Sequence, residues 1–292
     1  MTHDHPTVPS PFDEPLLAKS AGADSVGESN TRSSSSGIIV NADDWGRDID
    51  TTTRSLDCIV QETVSSVSAM VFMEDSERAA ELARQHEVDT GLHLNFTQHF
   101  SVPQCPSRLL DHQDKLSNFL RSNRFAPVMY HPGLAVSFDY VVKAQFAEYE
   151  RLYQAPADRV DGHHHMHLCA NVLFGELIPA DTLVRRNFSF APGEKSWMNR
   201  LYRRWIDTRL KRRHRLVDYL FSLAPIEPLE RLQQIVSLAR HAVVEVETHP
   251  VNSSEYRFLT SGEIFQQLSD IRIARGFAAN AGKRAISNQP AY

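Results

Sequence analysis

Residues 37–46 read GIIVNADDWG, and this stretch decides the fold. Gly37–Ala42 is a short apolar run rich in β-branched residues, the signature of a buried strand. It ends in two adjacent carboxylates, Asp43 and Asp44, followed by Trp45 and Gly46. Neither GxGxxG nor GxxxxGK[ST] follows the strand, so a dinucleotide or nucleoside triphosphate site has no support here. Downstream, residues 49–62 carry Ile49, Leu56, Ile59 and Val60 on one side of a helix. Residues 64–72 form a second strand. Residues 75–86 form a helix with Asp75 and Ser76 as caps. A third strand covers 88–95, and helices are expected at 114–123 and 136–154 after a proline-containing loop. Strands follow at 159–163 and, weakly, at 182–186, with a helix at 172–180 between them. A last strand at 242–247 precedes a closing amphipathic helix at 261–275. Strands alternating with helices imply an α/β fold with a parallel sheet, either a barrel or an open doubly wound sheet.

The flanks differ from this core. Residues 1–36 hold eight serines, four prolines and two glycines, too little apolar surface to offset the entropy of ordering, and are expected to be a flexible tail. Residues 279–292 have the same character, leaving 37–278 as the expected catalytic domain. Lys+Arg is 31 against Asp+Glu 36, a net charge of −5, and 41% of residues are hydrophobic. That composition excludes a wholly disordered chain, a collagen and a coiled coil, and disfavours a broadly basic nucleic-acid binder. Cys58, Cys105 and Cys169 are odd in number and lack CxxC spacing, so a reducing, cytoplasmic compartment is expected rather than a disulfide framework. No apolar run is long enough to span a membrane. The opening MTHDHPTVPSPFDEPLL lacks the basic start and apolar core of a secretory signal. A homodimer is left open.

Four polar clusters follow expected strands: NADDWG (41–46), GLHLN (91–95), DGHHHMH (161–167) and ETHP (247–250). The C-terminal ends of parallel strands meet on one face, where active sites are built. Alone, Asp43–Asp44 reads most simply as a turn with a helix cap, and His93 as a core histidine. Four histidines within 163–167 shift that balance. An extended segment there would put His163, His165 and His167 on one face, with His164 turned away. Asp plus two His is a sensible ligand set for a catalytic divalent metal, and a second carboxylate beside it can serve as base.

Together the four motifs resemble those of the YdjC-like carbohydrate deacetylases, also called the ChbG/HpnK family, over about residues 37–275. The resemblance implies a distorted (β/α) barrel related to the polysaccharide deacetylases, with parallel strands and outer helices. It implies removal of acetyl groups from N-acetylated sugars with a divalent metal, Mg2+ or Zn2+. Carried over motif by motif, Asp44, His93 and His163 would be the metal ligands, Asp43 the base and His249 the acid. Trp45 stands where the family usually has Phe, and Val-Asn-Ser-Ser follows His249-Pro250 in place of a glycine-rich acidic continuation.

The expected substrate is an N-acetylglucosamine-containing oligosaccharide or glycolipid, hydrolysed to acetate and a free amine. Trp45 and Phe96 could stack on a sugar ring, although core packing is the simpler expectation for both. A metal-dependent phosphoesterase and a non-catalytic metal- or glycan-binding protein are the alternatives. Residues 200–215 (RLYRRWIDTRLKRRHR) hold eight Lys/Arg and one Asp. Their simplest reading is an amphipathic helix with Leu201, Trp205 and Leu210 inward; a lid or a surface for an anionic partner are the others.

Overall fold

Every strand in the sheet runs parallel to its neighbours. The computed structural model describes residues 36–190, 196–268 and 271–277. The expected tails, apart from Ser36, lie outside them. Along the chain come β1 (Gly37–Trp45), α1 (Ile49–Val60), β2 (Ser66–Ala69), α2 (Ser76–Gln85), β3 (Asp89–Leu94), α3 (Ser107–Ser122) and α4 (Ala135–Tyr153). Then follow β4 (Arg159–Gly162), α5 (Ala170–Phe174), β5 (Leu183–Val184), α6 (Trp197–Leu210), β6 (Tyr219–Ser222), α7 (Leu229–Ala239), β7 (Val243–Thr248), α8 (Ser253–Thr260) and α9 (Glu263–Leu268).

The sheet order is β5-β4-β3-β2-β1-β7-β6. Its two edges approach each other. The Val184 amide donates to the Arg215 carbonyl at 2.9 Å and the Ser189 amide to the Leu220 carbonyl at 2.8 Å. Leu183 and Arg215 form an isolated parallel bridge. Joined at that seam, the strands follow one another in chain order around a ring, as in a (β/α) barrel. The fold is therefore an α/β barrel curled from one parallel sheet, with β1 buried along its whole length between β2 and β7.

Side chains alternate across the strands. Ile38, Val40 and Ala42 of β1, Val67 and Ala69 of β2, Leu92 and Leu94 of β3, and Val244 and Val246 of β7 belong to one continuous apolar core. Their strand neighbours include Asn41, Asp43, Ser66, Ser68, His93, Arg159, Asp161, Glu245 and Glu247, all buried. The alternation thus sends apolar groups one way and a set of polar groups the other. Trp45 and Phe96 have no exposed surface, and the Trp45 indole donates to the Ala79 carbonyl. Both are core residues and neither can stack on a sugar without the fold opening.

Several expectations fail locally. β6 and α7 are absent from the sequence reading. Of the helix expected at 261–275 only α9 forms, set off from α8 by Gly262 at φ +79°, and Ile273 bridges Ile38. The helix expected at 172–180 ends at Phe174. In α1 the buried face is Thr51, Thr52, Ser55 and Cys58, while Ile49 and Val60 are exposed. Asp75 stands at the cap position of α2 but pairs with Arg78 rather than with the helix amides. Residues 163–168 coil into a 3-10 turn with His164 and His165 left-handed, so the shared face expected for His163, His165 and His167 does not form. In α6 only Leu210 of the three expected inward residues is buried; Leu201 and Trp205 are exposed, and Ile206 and Asp207 take the inward places. The three cysteines are free.

Candidate active site

Strand β1 does not end smoothly. Its pairing with β2 slips between Ala42 and Trp45, and Asp44 sits at φ +64°. A bulge of this kind re-aims a side chain, and the left-handed backbone it demands costs a non-glycine residue energy. Here it turns two adjacent carboxylates to different partners. Asp44 Oδ1 accepts from His163 Nδ1 at 2.8 Å and lies 3.3 Å from His93 Nε2. Its Oδ2 accepts from Arg47 at 2.6 Å. Asp43 instead takes two bonds from Arg185, at 2.6 and 2.7 Å, and one from Asn41 at 2.8 Å.

His93 and Asp161 are register partners on β3 and β4. Asp161 Oδ1 accepts from His93 Nδ1 at 2.7 Å, which leaves Nε2 directed toward Asp44. Such a carboxylate–imidazole pair fixes the tautomer and orientation of a ligating histidine. Asp161 is itself held by Ser68 and by Arg185 at 3.0 Å. His163 enters the site because β4 stops at Gly162, where an added Cβ would lie 2.9 Å from the His167 amide nitrogen and 3.0 Å from the Leu94 carbonyl. Only glycine lets the turn close onto β3 here.

One donor atom each from Asp44, His93 and His163 lies within 4.8 Å of the other two, all three residues being buried. Carboxylate oxygen plus two imidazole nitrogens is the chemistry a divalent cation accepts, so the donor set fits one. A second cluster at the same spacing joins Asp43, Glu247 and His249. His249 is half-buried at the end of β7. Glu255 pins the turn that carries it, accepting from the His249 amide at 3.0 Å and from the Thr248 hydroxyl at 2.7 Å. All five residues expected from sequence therefore converge at the C-terminal end of the barrel.

The electrostatics follow from burial. For Asp43 desolvation pushes the pKa up, but Arg185 outweighs it and holds the carboxyl below its ordinary range. Asp44 is likewise opposed by burial and brought well below that range by its bonds to His163 and His93. Burial disfavours a charged His93, yet Asp43, Asp161 and Asp44 around it raise its pKa to about 10. Glu245 and Glu247 are raised to about 7, burial being the main cause in each. His165 is lowered to about 4 and His167 to about 3, chiefly by burial, so both imidazoles are neutral. His167 donates to the Arg185 carbonyl and is structural.

Sequence reading gave no role to Arg185, Glu245, Glu247 or Arg159, although Glu247 opens the ETHP cluster. Arg185 is 1% exposed in its side chain and contacts Asp43, Asp161, Glu245 and Glu247 within 3.3 Å. The signal available for two of them was VVEVET, in which the acids alternate with valines in a strand. An ionisable residue on the inner face of a buried strand needs a partner, and Arg185 is the partner.

The YdjC-like protein family profile matches residues 37–270. A carbohydrate deacetylase of Mus musculus is 31% identical over 153 residues, covering 49% of this chain and 47% of the mouse protein; the chain thus spans about half the length of that relative. A carbohydrate deacetylase of Clostridium beijerinckii is 23% identical over 254 residues, covering 81% of this chain and 96% of that protein. Among solved structures, an Enterococcus faecalis V583 protein with a candidate role in cellobiose-phosphate cleavage superposes with a TM-score of 0.57 at 17% identity, over 82% of this chain and 97% of its own. That likeness bears on the fold alone. With four-fifths of its length inside the family profile, and the profile's span coinciding with the barrel, the chain belongs to the YdjC-like family.

Proposed function

We propose that the chain is a metal-dependent deacetylase that hydrolyses the acetamide of N-acetylated sugars, N-acetylglucosamine-containing oligosaccharides or glycolipids, to acetate and a free amine. The observation that carries this reading is the meeting of Asp44, His93 and His163 at one point with Asp43 alongside. The names of the two relatives support the substrate class. Asp44, His93 and His163 would hold Mg2+ or Zn2+, and when bound the cation supplies Lewis acidity to the acetyl carbonyl and lowers the pKa of water.

The chain's own residues supply the rest. Asp43 stays ionised at neutral pH because Arg185 grips both its oxygens, and it accepts the proton of the attacking water. Arg185 also fixes the direction of that carboxylate. Breaking the C–N bond requires a proton at the departing nitrogen, and His249 delivers it from beside Asp43. Glu247, within 4.8 Å of both, has a pKa raised to about 7, chiefly by burial. The free thiols fit the cytoplasmic location expected from the sequence, which we retain as part of this proposal.

The decisive experiment measures acetate released from N-acetylglucosamine oligomers of graded length, with and without chelator, alongside elemental analysis of the purified protein. Chelator-sensitive acetate release is the expected result. Turnover that survives removal of all metal would overturn the metal assignment, and absence of acetate release on every acetylated sugar would overturn the deacetylase assignment. A phosphoesterase is the second reading, favoured by one observation: Arg186, Arg200 and Arg204 line a cleft with Phe188, whose ring lies 4.6 Å from that of His165. Phosphate release without acetate release would select it.

A further inference from the structure

Helix α6 has two apolar faces and the barrel uses one. Ile206 and Leu210 are buried against the core. Trp197, Leu201 and Trp205 recur every fourth residue on the outer side, 68%, 57% and 48% exposed, with Met198 and Tyr202 beside them at 64% and 40%. The patch continues across α5 and the loop before α4. The ring of Phe174, itself 45% exposed, is 6.2 Å from Trp205 and 6.5 Å from the exposed Tyr130. Singly exposed apolar residues are ordinary, but a contiguous set of this kind marks a contact surface.

Charge says what the contact is. Arg200 and Arg204 border the stripe, and Lys211 and Arg212 extend it past the end of the helix, all four exposed. Among the described residues none of the four makes an ion pair or a side-chain hydrogen bond, whereas nearby Arg186 and Arg213 are paired with Asp207 and Glu176. This cationic stretch stands on a chain whose net charge is −5. A helix with Trp, Tyr and Leu on one face and Arg and Lys at its border is built to lie in the headgroup layer of a bilayer. Its aromatics seat at the polar–apolar boundary and its cations meet lipid phosphate.

We propose that the outer face of α6 docks the protein on an anionic lipid bilayer. A second copy of the chain fits less well, because a two-fold contact through α6 sets the Arg200–Arg204 border against itself. Nucleic acid fits less well too, because the centre of the patch is Met198 and Leu201, which a phosphate backbone does not cover. Trp197 and Leu201 also line the cleft that reaches His165 through Phe188, so the bilayer would lie beside that cleft. The inference stands independently of the deacetylase reading, since its test reads binding and not turnover.

The test is co-sedimentation of the full chain with vesicles of phosphatidylcholine alone and of phosphatidylcholine with about one-third phosphatidylglycerol, at low and high salt. Two of the three tryptophans lie in the patch and the third, Trp45, is buried, so intrinsic emission reports insertion directly. Binding to the anionic vesicles only, weakened by salt and accompanied by a blue shift, is the expected result. Arg200→Glu/Arg204→Glu should weaken binding by about 25-fold or more, at about fivefold per charge near the surface. Trp197→Ser/Trp205→Ser should abolish sedimentation with the anionic vesicles while leaving the melting temperature and the emission of Trp45 unchanged. Equal binding to neutral vesicles, no vesicle binding at low salt, a dimer that the tryptophan variant dissociates, or equally tight binding to an RNA oligonucleotide would each overturn the proposal.

Discussion

Replacing Arg185 with Met should destabilise the barrel from its interior. The guanidinium lies 2.6 Å from Asp43, 3.0 Å from Asp161, 2.7 Å from Glu245 and 3.3 Å from Glu247, and no partner side chain is more than 6% exposed. Methionine fills much of the volume but leaves four carboxylates facing one another without the cation. Breaking a buried pair by removing one partner costs about 3–5 kcal/mol, against about 5–15 kcal/mol for the whole stability of a domain. With a urea slope near 3 kcal/mol per M, the midpoint should fall by about 1–1.7 M. The pH signature is the sharper test, measured in chelator so that metal uptake does not intrude. Burial already raises Glu245 and Glu247 from 4.5 to about 7, and without Arg185 Asp43 and Asp161 must rise as well. A carboxyl whose pKa is higher folded than unfolded binds a proton in the native state that the unfolded chain releases. Its contribution to stability is retained below the unfolded value and lost as pH rises through the folded one. The variant's deficit should therefore be smaller at about pH 5 than at about pH 8. A deficit below about 1 kcal/mol, or one that does not change with pH, would refute the idea that Arg185 is the counter-ion of this cluster.

Asp43→Asn should lower kcat for acetate release by about 10²–10⁴-fold while elemental analysis still finds the metal; loss of metal along with turnover would move Asp43 into the ligand set. Asp161→Asn removes the carboxylate that orients His93, and metal affinity measured by chelator competition should fall by about 10–100-fold; an unchanged affinity would deny it that role. Because His93 is held near a pKa of about 10 without metal, uptake must displace its proton, and apparent affinity should rise with pH by up to about tenfold per unit between about pH 6 and 8; a flat profile in titration calorimetry would contradict this. Gly162→Ala places a Cβ 2.9 Å from the His167 amide and should cost about 1–3 kcal/mol, lowering the melting temperature by several degrees; a wild-type melting curve would show that the turn can shift freely.

The parts of the fold legible in sequence were those whose residues repeat a single physical instruction. Gly37–Ala42 has no competing pattern, and the strand is where it was expected. The motif residues Asp43, Asp44, His93, His163 and His249 were legible because each follows or ends such a strand, and parallel pairing carries strand ends to one face. What was hidden depended on partners far along the chain. β6, YLFS, is four residues long and preceded by the basic run, so neither length nor alternation distinguishes it; its pairing with β7 makes it a strand. The inward face of α1 is Thr51, Thr52, Ser55 and Cys58 because small residues allow a helix to lie close to the barrel, and a hydrophobicity pattern reads that face as solvent. The histidine tract curls because Gly162 and two left-handed residues let it, and nothing in HHHMH announces that.

Arg185 is the part of the candidate site that only the closed barrel reveals. In TLVRR it is one of two adjacent arginines at the end of a weak strand, and a solvated surface pair is the natural reading. Its neighbour Arg186 pairs instead with Asp207 on the inward face of α6. Arg185 goes the other way because the strand's alternation points it inward, where β1, β4 and β7 have already brought Asp43, Asp161, Glu245 and Glu247. With Arg47 on Asp44 and Arg159 beside Asp161, five buried carboxylates face three guanidiniums. The two negative charges left over do not have to stay. Protons on His93 and on a glutamate can neutralise them, which is what the raised pKa values of His93, Glu245 and Glu247 express. A divalent cation between Asp44, His93 and His163 can do the same while leaving His93 neutral, so the proton and the metal are alternative solutions to one electrostatic problem set by the closure of the sheet.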